Sequence, residues 1–148
     1  LGNKDKICLC SARSVDLYWK KFSAPLLDRI GIRFDLNIEN DEEYAETTLE
    51  ELRGYIKTAW ERQYARQGKL NQDLVANEVF EHIHLTEEAL KLLDKATEQR
   101  GLSPRAVSNI MKMSLTVHDM LAPESDEKIG SAYIEYALKL YGMLPCIY

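Results

Sequence analysis

An excess of basic residues is missing from this sequence: its 148 residues carry a formal net charge of −5. The general footprint of a nucleic-acid binder is therefore absent, and any contact with DNA would have to be local or made by an assembly. No apolar run approaches the roughly 18 residues of a membrane helix, which predicts a soluble, cytoplasmic protein with no membrane partner. Cysteine is scarce and odd in number, three in all. That argues against a secreted disulfide framework and for a reducing compartment. No GxxxxGK[ST] loop occurs, nor an apolar run ending in paired acids, so the chain holds no phosphate cradle of the common kind. The opening "LGNKDKICLC" has neither an initiating Met nor an export signal, and the chain is expected to be a fragment of a longer protein.

What is present is mostly helical punctuation. Ser11 is an N-cap before "SARSVDLYWKKFS", where Val15, Tyr18, Trp19 and Phe22 recur at helical spacing. Pro25 suits the first turn of a very short helix, "PLLDR", which Gly31 breaks. Next comes an alternating strand, with Ile32, Phe34, Leu36 and Ile38 on one face and Arg33, Asp35, Asn37 and Glu39 on the other. Acidic "ENDEEYAET" reads as an exposed linker. Thr48 and Glu51 form a capping box before a helix whose apolar face is Leu49, Leu52, Ile56, Ala59, Trp60 and Tyr64, with Gly68 as its stop. A short helix is predicted in "LVANEVFEHI". Thr86 caps the next, with Leu85 and Leu90 as a staple and Gly101 as the stop. Ser103 caps "PRAVSNIMKMSLTVHDML", with Pro104 in first position. Ser125 or Asp126 caps the last helix, "EKIGSAYIEYALKLYG". The expected fold class is mainly α: a bundle of four to five helices over 48–148, after a linker at 41–47. Residues 1–40 read as the last helix and edge strand of an α/β core, because a lone strand leaves its ladder groups unpaired.

The segment "CLCSARSVDLYWKKFSAPLLDRIGIRFDL" resembles the end of the AAA+ core in Mg-chelatase-like ATPases, especially their competence-associated ComM/YifB group. "ERQYARQGKLN" and "GLSPRAVSNIMKMSLTVHDM" resemble two signatures of that group's C-terminal helical domain, or lid. The resemblance runs from Cys8 to about Tyr141 and implies a homo-oligomeric ring that hydrolyses ATP with Mg²⁺, the phosphate-binding loop lying upstream. It implies no bound cofactor for the fragment alone. In the competence group it further implies DNA branch migration, with DNA as a partner. Insertion of a metal into a porphyrin is the alternative implied by the true chelatases, and no residue here is suited to handling a porphyrin. A helical protein-interaction module with no nucleotide role is the reading from another class.

The resemblance makes Arg29 of "LLDR" an arginine finger reaching the neighbouring subunit's nucleotide. Its permanent charge and planar fork suit phosphate oxygens. The plain alternatives are an ion pair with Asp28 or a solvated loop arginine. Arg105 would be the sensor-2 arginine, contacting the γ-phosphate of its own subunit. As the second residue of its helix it opposes the dipole, a cost that a bound anion would reverse. The alternative is a partner among Glu78, Glu81 and Glu98. Where the family usually carries another arginine, this chain has Ser114. Cys8 and Cys10 form a CxC pair. With a second pair upstream they would complete a zinc site, but two thiolates alone cannot close one. His82, His84 and His118 read as surface or capping residues. Arg62, Arg66, Lys69 and Asn71 beside Trp60 and Tyr64 make a local basic patch that suits either DNA backbone or the end of an amphipathic helix, and Trp60 is expected to pack.

Overall fold

The computed structural model describes residues 9–33, 47–122 and 128–142. Seven α-helices occur among them: α1 (Ala12–Trp19), α2 (Ala24–Leu27), α3 (Leu49–Gln67), α4 (Ala76–His82), α5 (Glu87–Arg100), α6 (Pro104–Leu121) and α7 (Ser131–Gly142). The described residues form no extended sheet, and the mainly α expectation holds. No helix among them is long and apolar enough to cross a membrane.

Helix starts follow cap chemistry. The hydroxyls of Ser11, Thr48, Thr86 and Ser103 each accept the N–H of the third residue of their helix. Glu51 completes the capping box by accepting the Thr48 N–H at 2.7 Å. That N–H, and after it the Thr48 hydroxyl, which also donates to Glu51, hold its carboxyl below the usual carboxylate range. Gly68 and Gly101 end α3 and α5 in the left-handed region, at φ 71° and 59°, where a side chain would be strained. Thr86→Ala should therefore cost about 1 kcal/mol. Urea denaturation would measure it, and a loss below a few tenths would mean that Thr86 is not a working cap.

α6 is the central element, with α7, α3, α4 and the 3-10 turn Asn71–Asp73 packed around it and α5 against α7. Ile110, Ile134 and Val79 are completely buried, and Leu93, Ala96, Met111 and Leu115 extend the same core. Each large apolar side chain removed from water there contributes about 1.5–3 kcal/mol.

Three expectations need correction. The last helix begins at Ser131, not after Ser125 or Asp126. Ile129 is held extended beside Leu85: its N–H donates to the His84 carbonyl, and its own carbonyl accepts the Thr86 N–H. Two tertiary hydrogen bonds thus override the local start signal. On α3, the predicted core face looks outward: Leu49, Leu52, Ile56, Trp60 and Tyr64 are exposed, and only Ala59 and Gln63 are buried. α3 meets α6 through Ala59 and through polar side chains, Gln63 and the arginines that reach Asp119, and its large apolar residues stand outside the contact. Leu90 is likewise exposed rather than stapled down. Phe34, Leu36 and Ile38 of the expected edge strand lie outside the described residues, as do Cys8 and Cys146, and Ile32 is exposed.

Candidate functional site

The turn that carries Arg29 is fastened to one end of the bundle. α2 is a single turn, and α1 buries no residue, so apolar burial of these helices does not fix the turn. Asp28 reaches across instead. Its carboxylate accepts the Ser103 hydroxyl at 2.6 Å and the Tyr141 phenol at 3.3 Å. Ser103 meanwhile accepts the Ala106 N–H at 3.1 Å, so one hydroxyl caps α6 and holds Asp28. Arg33 secures the other side. Its backbone N–H donates to the Leu140 carbonyl at 2.9 Å. Its guanidinium donates to the carbonyls of Tyr141 and Leu27 and lies 4.6 Å from the centre of the Tyr141 ring. A cation bonded to the last carbonyls of α7 is where the helix dipole favours one.

Burial, and after it the Asp28 carboxylate, push the Tyr141 phenol above its ordinary pKa of 10.0. The folded state holds this proton more tightly than the unfolded one. The resulting stabilisation is complete below about pH 10 and is lost as pH rises through the raised value. Tyrosinate absorbance, taken as the difference between the protein and Tyr141→Phe, should show a midpoint above 10 that falls in Asp28→Asn. A midpoint at or below the ordinary value would contradict the contact.

Arg29 and Arg105 both stand exposed near this corner. Asp28 binds Ser103 and Tyr141 and forms no ion pair with Arg29. Nor does Arg105 pair with Glu78, which is occupied by Lys69 at 2.6 Å. Among the described residues, neither arginine side chain makes a hydrogen bond or an ion pair. Arg105 stands two residues after Ser103, in the first turn of α6, and Arg29 directly follows the Asp28 that Ser103 holds, which brings the two cations to the same end of the bundle.

The basic patch of "ERQYARQGKLN" is spent internally. Arg66 donates to both oxygens of Asp119, at 2.8 and 2.9 Å, and also to Asn71 Oδ1. Asp119 has no exposed surface and accepts from Asn71 Nδ2 at 3.1 Å, with the Arg62 guanidinium 3.5 Å away. Asn71 is anchored in turn by Gln63 and Thr116. Lys69 and the Val75 N–H engage Glu78, and those bonds hold its carboxyl below the usual range. These cations therefore do not make an open surface for DNA. Trp60, expected to pack, is 55% exposed beside a shallow hollow lined by Ile56, Gln63, Leu70 and Met120.

His118, read as a surface or capping residue, is buried, with its ring edge-on to Tyr133 at 5.1 Å. His84 is exposed and His82 half-buried. Ser114 is fully buried, with its hydroxyl bonded to the Met111 carbonyl, so that position faces the core. Cys10 is exposed.

Sequence reasoning missed Asp28, Tyr141 and Asp119 as structural partners. Asp119 alone left a local sign: an acid in the last turn of a helix opposes the dipole and calls for a compensating cation.

No solved structure matches the chain. Residues 1–44 match the family model described as magnesium chelatase, subunit ChlI. The chain is 26% identical over 140 residues to the competence protein ComM of Haemophilus influenzae, covering 90% of this chain and 27% of that protein. It is 26% identical over 146 residues to the uncharacterized protein YifB of Salmonella typhimurium, covering 93% and 27%. The chain thus spans little more than a quarter of these curated relatives. Residues 46–140, the bundle and the greater part of the sequence, match the model described as magnesium chelatase, subunit ChlI C-terminal, and the chain accordingly belongs to the magnesium chelatase ChlI family.

Proposed function

We propose that this chain supplies the arginine finger and sensor-2 lid of a Mg-chelatase-like AAA+ ATPase working as a homo-oligomeric ring with ATP and Mg²⁺. The observation that carries the reading is the corner itself. Arg29 and Arg105 are exposed and without an ion pair among the described residues, and the Asp28–Ser103 hydrogen bond holds their elements together. An uncommitted arginine at a helix start, with a second on the turn fastened to that same helix start, suits a phosphate group. A finger addresses the neighbouring subunit's nucleotide. Because Asp28, next to Arg29, is bonded to Ser103, two residues before Arg105, we assign Arg105 to that same nucleotide rather than to its own subunit's. The likeness to a competence protein favours ATP-driven branch migration of DNA over porphyrin metallation as the work performed.

Mixed rings test this. Subunits carrying Arg29→Ala should be partly rescued by subunits defective only in phosphate binding, since each supplies what the other lacks at a shared interface. Mixing Arg29→Ala with Arg105→Ala subunits should give no rescue if both arginines serve one nucleotide. Rescue in that second mixture would return Arg105 to its own subunit, and failure of the first would end the finger role.

A second reading, a helical interaction module, draws on the outward stripe of α3. A pure adaptor has no use for the two arginines, and ATPase activity that survives loss of both would favour it.

A further inference from the structure

Two side chains that reach no phosphate tie residues 9–33 to the bundle. Asp28 grips the start of α6 through Ser103, and Arg33 grips the end of α7 through the Leu140 and Tyr141 carbonyls. The attachments are not redundant. Asp28 is an acceptor facing two hydroxyls, and Arg33 is a donor facing carbonyls. Arg33 also bonds the Leu27 carbonyl, the last residue of α2, so it staples the turn to itself as well as to the lid. Arg29 lies between these fastenings, and within the turn its N–H bonds the Leu26 carbonyl while that of Ile30 bonds the Leu27 carbonyl.

We infer that Asp28 and Arg33 form a latch that makes the Arg29 turn and the lid one mechanical body, with both as positioning residues. Charge-assisted hydrogen bonds are the strong ones, and here they replace the apolar burial that α1 does not provide. Any tilt of α6 and α7 would then carry Arg29 with it. For the ATPase, where the inference rests on the finger reading above, lid movement in one subunit would advance or withdraw the finger at its neighbour's nucleotide. The lid would thereby regulate the adjoining site, not only its own.

Hydrogen exchange on the full-length protein tests the latch without recourse to activity. In Asp28→Ala and in Arg33→Ala, protection of the Ile30 amide should fall by about tenfold or more, since each variant removes a charged hydrogen-bonded group. The Ile110 amide, inside α6, should keep its protection and so exclude global unfolding. Arg33→Lys keeps the charge but not the fork, and should fall between. Turnover should drop in both alanine variants with KM for ATP unchanged. Unchanged protection at Ile30 in both variants overturns the latch. A released turn with undiminished turnover, in a protein that Arg29→Ala does slow, overturns the positioning role. If Arg29→Ala has no effect while the turn is released, the latch stands and the finger reading falls.

Discussion

Arg29→Ala is expected to cut ATP turnover of the assembled ring by about 10³–10⁵ while leaving nucleotide binding nearly intact. Negative charge builds on the transferred phosphoryl group only near the transition state. A guanidinium placed there acts on the rate far more than on binding. The local geometry supports so large a share. Asp28, the adjacent carboxylate that could have neutralised Arg29, is taken by Ser103 and Tyr141. Arg29 therefore has no ion pair with its neighbour to break before it reaches another molecule. Arg29→Lys should recover little, because an ammonium lacks the planar fork that holds two oxygens. Turnover within a few-fold of the parent would remove the assignment.

The largest expected loss of stability comes from Asp119→Ala, about 3–5 kcal/mol. Asp119 is fully buried, and the Arg62 and Arg66 side chains are only 18% and 25% exposed. Removing the carboxylate takes from the largely buried Arg66 guanidinium its two-oxygen partner, with little water to replace it. The Asn71 amide also loses an acceptor. Against a typical total stability of about 5–15 kcal/mol, such a change is a large fraction. Asp119→Asn should cost less, because it retains one acceptor oxygen of similar shape. Arg66→Met should recover part of the loss when combined with Asp119→Ala, since the double change no longer buries an unpaired charge. Urea midpoints would report all three, and an Asp119→Ala loss under 1 kcal/mol would mean that the network is dispensable.

Local chemistry was legible in the sequence, and long-range competition was not. The caps at Ser11, Thr48, Thr86 and Ser103 and the stops at Gly68 and Gly101 occur where expected, because each is decided within a few residues. The start of α7 was misjudged because Ile129 answers to Leu85, far away in sequence. The stripe on α3 shows that periodicity identifies an apolar face but not whether anything covers it. Arg29 stood out through motif resemblance, and Arg105 through the same resemblance together with its sign against the helix dipole. Asp28 was read only as a possible mate for Arg29, since nothing near it points to partners 75 and 113 residues downstream. The basic patch stayed open between two readings for the same reason: the partner of Arg66, Asp119, lies 53 residues on.

The reach of the Asp28 and Arg33 contacts has a consequence for the timing of synthesis. Their partner Tyr141 follows them by 113 and 108 residues. At about 5–20 residues per second, translation would expose the Arg29 turn roughly 5–20 s before its second anchor, on α7, existed. A nascent chain would thus hold the turn through Asp28 and Ser103 alone until α7 had emerged and docked. Truncation just before Leu140 would make that half-fastened state permanent, in a chain that still contains every residue of α1 through α6.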